Sequence, residues 1–123
     1  EVLTELKKIA ILGIFSEGEI NLQRTKLRKS NLQKYFKEEH IHIVPDKLAE
    51  IKRVLDGYKN KNIFFVDDKL TILRDANTVL PSIFAIWLKR GIYAMNQKEI
   101  ANFKPNAVVA NLREVVKIVK LRC

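Results

Sequence analysis

Apolar runs of strand length alternate with stretches of helical period along most of this chain. The first run is Ile9-Ala10-Ile11-Leu12-Gly13-Ile14-Phe15, ending at Ser16, and a polar stretch from about Glu19 to Ser30 follows it with the composition of a helix. Leu32, Tyr35 and Phe36 supply a short apolar anchor before the second run, Ile41-His42-Ile43-Val44, which Pro45 stops. Asp46 then stands where a helix N-cap belongs. Leu48, Ile51, Leu55 and Tyr58 fall at i, i+3, i+7 and i+10, the spacing of one helix face, with Gly57 and Asn60 helping to end it.

Asn62-Ile63-Phe64-Phe65-Val66 is the most strand-like window, and it runs directly into Asp67-Asp68. A helical segment from Leu70 to Val79 leads to Pro81, and Ile83-Phe84-Ala85-Ile86-Trp87-Leu88 makes a fourth strand. After a loop through Lys89-Arg90-Gly91, Ala107-Val108-Val109-Ala110 makes a short fifth. The last helix is signalled by Asn111 as N-cap and Glu114 as its capping-box partner, with Leu112, Val115, Val116 and Val119 on its apolar face. Continuous apolar strands alternating with amphipathic helices predict an α/β fold, a Rossmann-like three-layer parallel sheet of about five strands.

Composition narrows the class without naming a function. The 123 residues are 47% hydrophobic and 30% charged, with 4 Gly and 3 Pro, which is the make-up of a folded domain with its own core. One domain, 1–123, is all that this length allows. A single cysteine, Cys123, argues against a disulfide scaffold. No apolar run approaches the roughly 20 residues of a membrane span, and the expected compartment is cytoplasmic. Twenty-three Lys and Arg against 14 Asp and Glu give a formal charge of +9. The basic residues are scattered among carboxylates along the whole chain, so they read as a solvated exterior and not as a nucleic-acid stripe.

In an open parallel sheet, ligands lie outside the carboxyl ends of the strands. Ser16 ends the first run, with Gly18 loosening the turn, so that a hydroxyl and free backbone N–H groups meet at the start of a helix. Lys47 opens the helix after the second run, an unfavourable place for a cation on the macrodipole. Asp67 and Asp68 follow a fully apolar strand, where adjacent carboxylates repel unless a cation or a cap uses them. Hydroxyl, ammonium and carboxylate together suit a phosphate and a divalent cation. Each also has a plain structural use: Ser16 as a helix cap, Lys47 on the surface, one aspartate as the cap of the next helix.

In this order the residues resemble motifs two, three and four of the haloacid dehalogenase-like (HAD) hydrolases. Leu12-Gly13-Ile14-Phe15-Ser16 and Asn62 to Leu70 carry the likeness, which continues through Trp87-Leu88-Lys89-Arg90-Gly91 and Asn102-Phe103-Lys104-Pro105-Asn106 and spans about Ile9 to Val119. The resemblance implies an Mg²⁺-dependent phosphatase acting on a small phosphorylated metabolite, with Ser16 and Lys47 catalytic. It places Ser16, Glu17, Gly18 and Lys47 about the phosphoryl group and Asp67 and Asp68 on Mg²⁺. Glu17 is a departure, since the family more often has a neutral residue there and a carboxylate repels phosphate.

The larger departure is motif one. The family's first strand ends in Asp-x-Asp, whose leading carboxylate attacks phosphorus, and no Asp-x-Asp occurs in this sequence. Without that nucleophile no aspartyl-phosphate forms, so the chain by itself is expected to be inactive. In the family that strand lies between the one ending at Ser16 and the one ending at Asp67, leaving a gap of roughly 10 Å where it is missing. The expectation is therefore a core lacking its first strand and cap, completed by an upstream segment or a complementing chain. Other readings have less support. A receiver domain needs an acceptor Asp after Asp75, and there is none. His40 and His42 would share a strand face but have no third ligand in register, and Gly13 to Gly18 does not continue into a P-loop. The rival from another class is a non-catalytic α/β module that binds an anionic partner, such as nucleic acid, through its basic surface.

Overall fold

The computed structural model describes residues 2–90, Gln97 and residues 100–122. Gly91 of the predicted loop and the cysteine at position 123 lie outside the described residues. The residues group into two compact units, Glu1–Glu50 and Ile51–Cys123. Every strand pairing in both is parallel.

The first unit opens with helix α1, Val2–Ile9, followed by strand β1, Ile14–Glu17, and helix α2, Ile20–Lys29. Two 3-10 turns, Gln33–Tyr35 and Glu38–His40, lead into strand β2, Ile41–Val44. The predicted first strand is thus shortened from its front. Val2, Leu6 and Ile9 recur at i, i+4 and i+7, and that helical period claims the residues before Ala10; Leu6 is buried. β1 pairs with β2 from Ile14↔Ile41 to Glu17↔Val44, so both strands end at the same level. Helix α2 begins at a side-chain cap: Glu19 accepts from the N–H groups of Asn21 and Leu22. The cap expected of Ser16 is therefore made by Glu19. Arg24 grips Glu38 with its two terminal guanidinium nitrogens, the Nη1–Oε1 contact being 3.1 Å, and ties α2 to the second 3-10 turn.

Helix α3, Lys47–Asp56, starts after β2 and runs across the boundary of the two units. Its buried face is Ile51, Val54 and Leu55, while Leu48, expected on that face, is 48% exposed. At 100° per residue, Leu48 sits some 70° from the mean direction of Ile51, Val54, Leu55 and Tyr58, at the rim of the stripe.

The second unit carries strand β3, Phe64–Asp67, helix α4, Leu70–Val79, strand β4, Phe84–Leu88, strand β5, Ala107–Val109, and helix α5, Leu112–Arg122. The strand order is β3-β4-β5, with Asp67 opposite Trp87 and Leu88 opposite Val109. α4 packs on β3 and β4 through Leu70, Ile72, Leu73 and Ala76, with Leu73 and Ala76 fully buried. Val115, Val116 and Val119 of α5 bury their side chains as the spacing predicts. The capping box is shifted by one residue. Asn111 Oδ1 accepts from Glu114 N–H at 3.0 Å, and the Glu114 carboxylate reaches Ala110 N–H at 2.7 Å instead of the cap's own. Among the described residues β1 pairs only with β2, and β3 only with β4.

Candidate functional site

In the first unit the end of the sheet gathers four of the expected residues. Ser16 and Glu17 are the last two residues of β1, and Gly18 N–H donates to the carbonyl of Val44 at 2.9 Å, closing the turn onto β2. Gly18 has φ +149°, backbone that disfavours any side chain, and a Cβ there would lie 2.5 Å from Gln23 Nε2. Ser16 is half-buried, and its Oγ donates to Gln23 Oε1 at 3.4 Å. It also lines an open groove of about 290 Å³ together with Ile14, Leu27 and Ile43. The groove wall is largely aliphatic, with Lys26 its one cationic lining residue.

Lys47 is the first residue of α3, as expected. Its ammonium lies 5.5 Å from the centroid of the Phe15 ring, a cation–π contact that holds the side chain back along β1. Its backbone N–H donates to Glu17 Oε1 at 2.8 Å, while Asp46 Oδ1 accepts from Ala49 N–H at 3.3 Å. Two carboxylates therefore cap one helix start, and they offset the macrodipole penalty of a lysine there. This is the local reason for Glu17, whose carboxylate ties the end of β1 to α3. The sequence alone showed only the charge.

In the second unit Asp67 is 7% exposed and is the buried charged residue of the described structure. A buried carboxylate needs compensating donors, and its Oδ1 accepts from Lys69 N–H at 2.9 Å. Asp68 is exposed. The turn they form is held by two side chains whose role here sequence reasoning missed. Trp87 Nε1 donates to the Asp68 carbonyl at 3.1 Å. Gln97 Nε2 donates to the same carbonyl, and Gln97 Oε1 accepts from Leu70 N–H at 2.8 Å. Trp87 is also part of the core, at 5% exposure.

The donor chemistry of Asp67 and Asp68 suits Mg²⁺, a hard cation that takes one or two carboxylates and keeps waters or phosphate oxygens in its other positions. Among the described residues no third His, Cys, Asp or Glu joins them in a metal-holding group. The pair therefore fits as part of a magnesium shell. His40 and His42 belong to no such group either. No described helix is long and apolar enough to cross a membrane.

No protein-family model and no curated protein matches the sequence. Solved structures do. A haloacid dehalogenase-like hydrolase from Burkholderia xenovorans LB400 is similar over 95% of this chain and 54% of its own, at 25% identity and a TM-score of 0.79. The fold is that of the HAD-like hydrolases. HAD-hydrolase YfnB from Bacillus subtilis, in a magnesium-bound form, is similar over 96% of this chain and 53% of its own, at 16% identity and a TM-score of 0.74. This chain thus spans about half the length of each HAD-like structure it matches, and it has an α/β, partial Rossmann-like core.

Proposed function

We propose that this chain supplies the phosphate-binding and magnesium-binding residues of a HAD-like phosphohydrolase acting on a small phosphorylated metabolite. The observation that carries the reading is Asp67, a carboxylate buried at the carboxyl end of β3 in a HAD-like fold. A buried carboxylate is costly without donors or a cation to compensate its charge.

On this reading Ser16 Oγ donates to a phosphoryl oxygen and the Lys47 ammonium balances the phosphoryl charge. Ser16 lies near the end of β1 and Lys47 just after β2, strands that end at one level, and Gly18 gives the turn between β1 and α2 a backbone that other residues disfavour. Asp67 and Asp68 would hold Mg²⁺, which when bound neutralises the charge of the transferring group. Glu17 fits less well as a phosphate contact, because its carboxylate is engaged with Lys47 N–H. The attacking carboxylate of an Asp-x-Asp is absent from the sequence. Turnover then requires an upstream segment or complementing chain that brings it, and this chain alone is inactive. The expected compartment is the cytoplasm.

The test is phosphate release from a generic aryl phosphate by the full-length parent. Mg²⁺-dependent release that Asp67→Asn abolishes supports the hydrolase. A parent without phosphatase activity, yet with nucleic-acid affinity that falls steeply with salt, supports the non-catalytic anion-binding module instead.

A further inference from the structure

The turn Asp67–Leu70 is tied down one backbone group after another. The Asp68 carbonyl takes two side-chain donors, Trp87 Nε1 and Gln97 Nε2. Lys69 N–H goes to Asp67 Oδ1, and Leu70 N–H goes to Gln97 Oε1. Lys69, at the N-cap position of α4, makes no side-chain cap bond, so the helix start is satisfied from a distance of 27 residues in the chain. A primary amide is suited to this, because it presents a donor and an acceptor side by side. It satisfies a carbonyl and an N–H two residues apart with one planar group. A plain cap would need only the acceptor.

The clamped peptide groups are those that set the direction of both aspartates. Asp68 is exposed, so packing does not aim its side chain, and the clamped backbone sets the direction in which it leaves the turn. We propose that Gln97 is a positioning residue for divalent-cation binding at Asp67 and Asp68, acting through the turn and not by touching the ion. The inference rests on the metal reading given above. Partners that orient metal ligands from outside the coordination shell typically carry 10–100-fold in metal affinity, and that is the loss expected here.

Mn²⁺ is the probe, since free Mn²⁺ is counted directly by electron paramagnetic resonance as the full chain is titrated in. The expected pattern is binding by the unaltered chain, none by Asp67→Asn, and binding weakened 10–100-fold by Gln97→Leu. Unfolding midpoints measured without metal report any purely structural cost separately. If the unaltered chain fails to bind Mn²⁺, the metal reading falls and the inference with it. If it binds and Gln97→Leu binds equally well, the positioning role alone is overturned. Should Gln97→Leu fail to fold, Gln97→Asn decides the matter. Its amide is one methylene too short to reach both groups, so reduced Mn²⁺ affinity supports the role and unchanged affinity refutes it.

Discussion

Replacing Asp67 by alanine and, separately, by asparagine divides what the carboxylate does for the fold from what its charge does for a ligand. Asp67 is 7% exposed, and its Oδ1 accepts from Lys69 N–H at 2.9 Å. Alanine removes the acceptor and leaves a sheltered backbone donor without it, which costs about 1–3 kcal/mol. At about 4 °C per kcal/mol for a chain of this size, the unfolding midpoint should fall by roughly 4–12 °C. Asparagine keeps an oxygen in the same place and loses only the charge assistance, while it relieves repulsion from Asp68. These effects oppose each other, and the net change should stay within about 1 kcal/mol. Urea unfolding followed by circular dichroism, with the slope m checked for constancy, measures both. Adding Mg²⁺ should then raise the midpoint of the unaltered chain and leave that of Asp67→Asn unmoved, as linkage requires of a ligand that binds only the native state. If alanine proves as stable as the wild type, the buried carboxylate is not anchoring the turn. If asparagine still responds to Mg²⁺, its charge is not what holds the ion.

Three further outcomes follow from other parts of the structure. Leu73→Ala, at a fully buried position on α4, should destabilise by about 2–5 kcal/mol in urea unfolding, and a loss below 1 kcal/mol would show that the α4 core collapses around the cavity. Glu17→Gln should weaken the start of α3 by about 0.5–1 kcal/mol, read as faster amide exchange at Lys47, whose N–H the carboxylate now accepts; unchanged exchange would refute that cap. The hydrogen bond from Arg24, with its charge, holds the Glu38 carboxyl below its usual range. That contribution is present above the unfolded value of about 4.3 and is lost as pH falls through the lower folded-state value. Stability measured from pH 6 to 3 should therefore drop more for the wild type than for Glu38→Gln, and parallel curves would sink the idea.

Much of the fold was legible because local pattern and tertiary burial agree. β2 at Ile41–Val44 and α4 at Leu70–Val79 have the expected bounds, each bracketed by its own stop signal: Pro45 after β2, Pro81 just beyond α4. Where two patterns competed, the sequence was ambiguous. Ile9 to Phe15 is a continuous apolar run, yet Val2, Leu6 and Ile9 share a helical face, and α1 takes the overlap. Ile11 shows the consequence, since it left both elements and stands 76% exposed.

The chemistry divides along the same line. Ser16, Lys47 and Asp67 stand at or just after strand ends, as their one-dimensional positions predict, and strand ends of a parallel sheet are where ligands lie. What holds those residues is not encoded locally. Glu17 meets Lys47 N–H across 30 positions, and Gln97 reaches the Asp68 carbonyl across 29. Both are long-range bonds from flexible polar side chains to backbone, which no periodicity announces. Yet they act on opposite sides of the same problem. A ligand-binding residue at a strand end needs a backbone kept from relaxing, and the backbone groups there have already left the ladder that would hold them. Glu17 supplies that restraint after β2, and Gln97 with Trp87 supplies it after β3. In this fold the residues expected to touch a substrate can be read from where strands stop. The residues that aim them can be found only once the chain is folded.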